Sequence, residues 1–248
     1  PLGGLPDLEA RRLRFIGDAH DRIREDYLRI LRFFRFHAWY GAPGIDAEGL
    51  AACAALADGL EQLSKERVGS EMLKLLGAQD PAPAMASMQA CGVLMRILPG
   101  ADAGLIAPLV YQEELRGLAP DAIRRLTALC GQIDGKELTA ALRLTRAQAA
   151  RFAQLRAALA ADMAAGEAGY RLGAELGASL LALRAACGLS PAPGENTALR
   201  TGGAAKLPVS AADLMPDLSG AALGARLKQP EVKWVASGFA LSRDQLLA

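Results

Sequence analysis

In the stretch "DAHDRIREDYLRILRFFRFHAWYG", residues 18–41, Tyr27, Leu31, Phe34 and Ala38 return at steps of four, three and four. That spacing lines one face of a helix; a strand would need a period of two. A similar rhythm runs through the remaining sequence, while alternating runs of Val, Ile and Thr are nearly absent and aromatic residues make up only 5% of the chain. Abundant Ala and Leu add intrinsic helix preference. The sequence therefore predicts an all-α protein.

Gly, Pro and capping residues punctuate the helices. A Gly-Gly turn opens "PLGGLPDLEARRLRFIG", and a short helix is expected from Pro6-Asp7 to Gly17. One long helix should follow, stopping by Gly41 with Pro43 and Gly44 beyond. "IDAEGLAACAALADGL" and "LSKERVGSEMLKLLG" read as two more helices, the second with Ser64 as its N-cap. Asp80 caps the helix that opens at Pro81, and Gly92 invites a bend in it. Segments near 102–116, 120–131, 134–143, 145–161 and 166–187 continue as short antiparallel helices. Residues 188–209, rich in Pro, Gly, Asn and Thr, read as a linker, and 210–248 as a small helical tail packed around Trp234 and Phe239.

The formal net charge is +1, which excludes a uniformly basic protein, but Arg outnumbers Lys 22 to 6. From Arg11 to Arg35 eight arginines face only Asp18, Asp21, Glu25 and Asp26. A local positive field of forked donors suits phosphate-rich partners, and a solvated helix face is the plain alternative. Cys53, Cys91, Cys130 and Cys187 form no CxxC or Cys/His cluster, so no metal site is expected in this chain and reduced thiols point to the cytoplasm. No apolar run reaches the roughly 18 to 20 residues of a membrane span. His20 and His37 lack a nucleophile partner and read as loop or helix-surface residues. The opening "PLGGLPDLEA", without Met, reads as a chain already in mid-course.

The segment "REDYLRILRFFRF" carries the chemistry. On a helix, Asp26 and Arg29 share one side and present an acceptor beside a forked donor, a match for the edge of a base. Glu25, four residues before Arg29, can hold the guanidinium, with Arg22 and Arg32 flanking. Surface ion pairs would produce the same pattern.

Taken in order, "GGLPDL", "ARRLRFIG", "REDYLRILRFFRF" and "LSKERVGSEMLKLL" resemble the class II CCA-adding enzymes and the related bacterial poly(A) polymerases, mainly over residues 1–100. The resemblance implies a multi-helix neck and body with a small tail: a head-neck junction and base-reading helix at 1–44, neck at 45–100, body at 101–187, linker and tail beyond. It implies that Asp26 and Arg29 bond CTP or ATP, with Glu25 orienting Arg29. Gly3, Gly4 and Asp7 would form the head-neck hinge, and Glu66, Arg67 and Glu71 would brace the neck helices and help shape the pocket. Arg22 and Arg32, with Arg24 and Arg35, would neutralise phosphates of the triphosphate or the RNA, some of them also balancing Asp21, Glu25 and Asp26. The family holds Mg²⁺ on a DxD pair and uses an "RRD" segment; this chain has neither, so no catalytic residue is expected here. The expectation is thus the tRNA-binding, nucleotide-selecting part of a CCA-adding enzyme, inactive alone. A poly(A) polymerase portion and a non-catalytic helical adaptor are the alternatives.

Overall fold

The computed structural model describes residues 4–214 and 220–248, and all regular structure among them is helical. The helices are α1 (Gly4–Glu9), α2 (Ala19–Glu25), α3 (Leu28–Tyr40), α4 (Ala47–Ala55), α5 (Lys65–Leu76), α6 (Ala82–Ala90), α7 (Val93–Ile97) and α8 (Ile106–Leu115). There follow α9 (Ala122–Leu129), α10 (Gly135–Leu142), α11 (Arg146–Ala160), α12 (Ala165–Ala186), α13 (Glu195–Ala204), α14 (Gly220–Ala236) and α15 (Arg243–Leu247). They group into two compact units. One runs to Ala157 and includes Ala182–Leu189; the other comprises Ala158–Leu181 and Ser190–Ala248.

Side-chain caps set many helix starts. Asp18 accepts from the Asp21 amide at 2.9 Å, Asp46 from Gly49 at 2.7 Å and Ser64 from Arg67 at 3.4 Å. Asp80 accepts from Ala82 at 3.0 Å, and Thr145 and Gln148 bond reciprocally ahead of α11. Each satisfies an amide that has no partner inside its helix. Gly92, in the left-handed region at φ 81°, separates α6 from α7.

In the first unit α3 lies at the centre, packed on α5 and α6, and α5 also meets α9 and α10. Ile23, Ile30, Leu31, Phe34, Met72, Leu75 and Met85 are fully buried there. Burial of such side chains stabilises by about 1.5–3 kcal/mol each. Cys53 and Cys130 are buried free thiols, and burial pushes Cys130 up to about 12. Ionic chemistry is also buried. Glu113 of α8 accepts from Arg124 Nε at 2.7 Å and from Arg125 Nη2 at 2.6 Å. Arg125 Nη1 donates to the Leu76 carbonyl at 2.7 Å and to that of Ala78, and Nη2 donates to Gln79 at 3.0 Å. The guanidinium thereby satisfies carbonyls left open at the end of α5.

In the second unit, α13 lies against α12 so closely that a Cβ on Gly169 would come within 2.0 Å of the Leu199 carbonyl oxygen. A Cβ on Gly202 would come within 1.8 Å of the Gly166 carbonyl oxygen. Trp234 and Phe239 stack edge to face at 5.0 Å, with Tyr170 5.6 Å from Trp234.

Four sequence expectations change. The long helix from Asp18 is two helices, because Asp26 is extended (φ −159°, ψ 107°) and its carboxylate caps the Leu28 amide at 3.1 Å. The first short helix begins at Gly4 and ends at Glu9, two residues before Arg11 enters the left-handed region at φ 48°. His37 is buried on α3 rather than at its surface, and burial lowers its basicity. Within the stretch read as a linker, residues 195–204 are helical: Glu195 bonds back to the Ala192 amide at 3.3 Å and Leu199 supplies a buried anchor. Gly3 and residues 215–219 of the expected tail lie outside the described residues.

Candidate functional site

Where α2 ends and α3 begins, the chain break gathers charged side chains from three helices. Glu25, the last residue of α2, accepts from Arg22 Nη1 at 2.9 and 3.0 Å and from Arg29 Nη1 at 2.6 Å. Arg29 Nη1 also donates to the Arg22 carbonyl at 2.8 Å. Both bonds use one terminal nitrogen, leaving the Nη2 and Nε hydrogens of Arg29 uncommitted. The Arg29 guanidinium holds the Glu25 carboxyl below its usual range, against an opposing desolvation and with Arg22 adding to the effect.

Asp26 is fixed by two partners on separate oxygens. Oδ1 takes the Leu28 amide, and Oδ2 takes Arg67 Nη2 of α5 at 2.8 Å. Desolvation pushes this carboxyl up, but the Leu28 amide and Arg67 outweigh it and leave it lowered. Tyr27, between the two helices, lies flat over Gly59 in the 3₁₀ turn Ala57–Gln62: a Cβ there would meet the ring at 2.0 Å.

Behind this pair, Glu71 of α5 is buried and accepts from Arg35 Nε at 2.6 Å, with Lys74 Nζ at 3.8 Å and Arg32 Nε at 4.0 Å. Glu66 is not at the α2–α3 junction; it pairs with Arg143, after α10, at 3.1 Å. Asp7 of α1 accepts from Arg14 Nε at 2.7 Å, and Gly4 begins that helix. The structure thus brings together Arg22, Glu25, Asp26, Arg29, Arg32 and Arg67, and places Gly4, Asp7 and Glu66 elsewhere.

The sequence reading missed Lys74 and the pairing of Arg35 with Glu71. Their signal was spacing, since Arg35 follows Arg32 by three residues and Lys74 follows Glu71 by three. Nothing local marks Gly59, whose role depends on a ring 32 residues away in sequence. Six cations surround three carboxylates, so the site favours an anionic ligand carrying a hydrogen-bonding edge. Among the described residues no group of three His, Cys, Asp or Glu is placed to hold a metal ion. Among them, too, no helix is long and apolar enough to cross a membrane.

Residues 44–105 match the family described as "Probable RNA and SrmB-binding site of polymerase A". Across its whole length the chain is 30% identical to the mitochondrial CCA tRNA nucleotidyltransferase 1 of Mus musculus, of which it spans 60%. Over 105 residues, 42% of this chain and 25% of the relative, it is 37% identical to the multifunctional CCA protein of Burkholderia mallei. The fold superimposes on the Bacillus stearothermophilus CCA-adding enzyme, solved in complex with CTP, with a TM-score of 0.73 at 25% identity; 96% of this chain and 64% of that one are covered. In sequence and in fold the chain is thus similar to the CCA-adding enzymes, and it spans less than two thirds of the length of these relatives.

Proposed function

We propose that this chain is the nucleotide-selecting and tRNA-binding portion of a template-independent nucleotidyltransferase that adds CCA to tRNA 3′ ends. One observation carries the reading: Arg29 is clamped by Glu25 at 2.6 Å and Asp26 by Arg67 at 2.8 Å, so a donor and an acceptor three residues apart in sequence are each held in place. Cytosine offers a ring nitrogen acceptor beside an amino donor, and adenine does the same. Uracil and guanine reverse that order with a ring N–H beside a carbonyl. A fixed Arg donor and Asp acceptor therefore favour CTP and ATP over UTP and GTP without a nucleic acid template. Their carboxylates are already paired, so the selection needs no proton transfer.

The remaining parts follow from that assignment. Arg22 and Arg32 support phosphates, Gly3, Gly4 and Asp7 form the hinge toward the catalytic head, and the helices after residue 45 hold tRNA by shape and backbone contacts. Phosphoryl transfer requires Mg²⁺ on carboxylates outside these residues, so the chain alone binds without transferring. Its free thiols suit the reducing cytoplasm.

The test measures binding of the four nucleoside triphosphates to the chain and to Arg29→Ala. A preference for CTP and ATP that vanishes in the variant, with thermal stability kept, supports the reading. Equal binding of all four by the wild type overturns it. A second reading, poly(A) addition, draws on the family match that names polymerase A. With the upstream region restored, Mg²⁺ present and a tRNA lacking its 3′ end, ordered C, C and A addition favours the first; A alone favours the second.

A further inference from the structure

We propose that the face of α3 running on from Arg29 binds the single-stranded 3′ end of the RNA, by stacking its bases on Phe36, Trp39 and Tyr40. This rests on the RNA-binding reading above and extends it to a surface that the base-reading residues do not use.

Helical spacing sets the strip. Arg29, Arg32, Phe36 and Trp39 recur at steps of three, four and three, with Tyr40 beside them, on the face turned away from the buried Ile30 and Phe34. At about 1.5 Å per residue the strip is about 16 Å long, room for several nucleotides but far more than one base. Its aromatic end is open: Trp39 is 48% and Tyr40 61% exposed. The Trp39 indole N–H donates to the Lys74 carbonyl at 2.8 Å, which uses its one polar group and leaves the exposed ring for stacking. Phe36 and Tyr40 lie 6.1 Å apart, and Trp39 and Tyr40 6.4 Å apart.

Cations accompany the rings. The Arg35 guanidinium sits 4.1 Å over Phe36 and takes Glu71 at 2.6 Å. Arg32 and Lys74 approach the same carboxylate only at 4.0 and 3.8 Å, too far for a hydrogen bond, and both side chains are substantially exposed. Their charge remains for phosphates. Beyond Tyr40 the strip reaches a cavity of about 840 Å³, lined by Phe15, Trp39 and Tyr40, by Arg11 and Arg12 and, along α1 and α4, by Asp7, Asp46 and Glu48. Rings interleaved with guanidinium and ammonium groups match the needs of single-stranded nucleic acid, where every base has a face to stack and every link carries a charge.

The experiment titrates the chain with a short single-stranded RNA ending in two cytidines and follows both RNA anisotropy and tryptophan emission. The second tryptophan, Trp234, is buried in a separate core, so a change in emission reports Trp39. Quenching on binding is expected, with RNA held about tenfold more weakly by Trp39→Leu and by Tyr40→Leu. Arg32→Gln and Lys74→Gln should each lower the slope of log affinity against log salt by about 0.7. Circular dichroism confirms that each variant is folded. The proposal is overturned if the wild type binds no RNA, if it binds without altering Trp39 emission, or if the leucine variants bind as tightly as the wild type. Nucleotide preference of the wild type is measured alongside. If that preference is present while the leucine variants bind RNA normally, the strip fails and the base-reading site stands; the converse pattern removes the base-reading site and leaves the strip.

Discussion

Arg67 on α5 and Asp26 at the α2–α3 break are 41 residues apart in the sequence and 2.8 Å apart in space. This bond connects the acceptor of the proposed base-reading pair to a second helix. Arg67→Ala leaves Asp26 with only the Leu28 amide. The pair is half exposed, so about 0.2–1 kcal/mol of stability should be lost. The preference for CTP and ATP over UTP and GTP should fall several-fold, as measured by competition binding. A normal preference would show that Asp26 needs no brace.

Gly59 should tolerate no side chain. Gly59→Ala sets a methyl group against the Tyr27 ring and should destabilise by about 1–3 kcal/mol in urea. Gly224, on α14 with open space around it, provides the contrast: Ala there should be stabilising by about 0.5–1 kcal/mol.

The contact of α12 with α13 is backbone on backbone. In Gly202→Ala the new atom meets the Gly166 carbonyl, which no rotamer change can relieve. Hydrogen exchange should show the amides of α13 losing protection, with the amides of α3 and α5 unaffected.

Arg125→Met removes one of the two guanidinium partners of Glu113 and uncovers the Leu76, Ala78 and Gln79 carbonyls in a buried setting. A loss of about 3–5 kcal/mol is expected in denaturant unfolding. A neutral result would mean that water or Arg124 replaces all of those bonds.

Acid should act on the second unit through Asp213. Arg243 first, then the Ser210 amide and hydroxyl, hold its carboxyl down at about 2. Because the folded value lies below the ordinary 3.8, the stabilisation is complete above that pH and disappears as pH falls through about 2. Asp213→Asn should therefore lower the denaturation midpoint of this unit at pH 6, and the variant and wild type should converge near pH 2.

The helices were legible because apolar spacing and caps such as Ser64 and Asp80 are local signals. So was the grouping of Glu25 with Arg29, which needs only one turn of helix. The break at Asp26 was not, because "REDYLRIL" carries no Gly or Pro to mark it and the competing conformation depends on Arg67 and on room over Gly59, both distant in sequence. The buried Arg125 was equally hidden. A charge on a helix reads as solvent-facing until the carbonyls and the carboxylate that surround it are known. His37 illustrates the same limit, since its place on the helix was clear but the neighbours that bury it were not.

The consequence of the Arg125 clamp reaches the other end of α5. That helix is held at Leu76 by a buried guanidinium and presents Arg67 to Asp26 about 14 Å away. It works as a ruler with both ends read. A single residue inserted between them would turn one end by about 100° relative to the other, so that every residue kept its chemistry while the register between anchor and acceptor was lost. Length changes in this lineage should therefore be confined to the loops, and the interval from Arg67 to Leu76 should be inherited as a count rather than as a set of side chains.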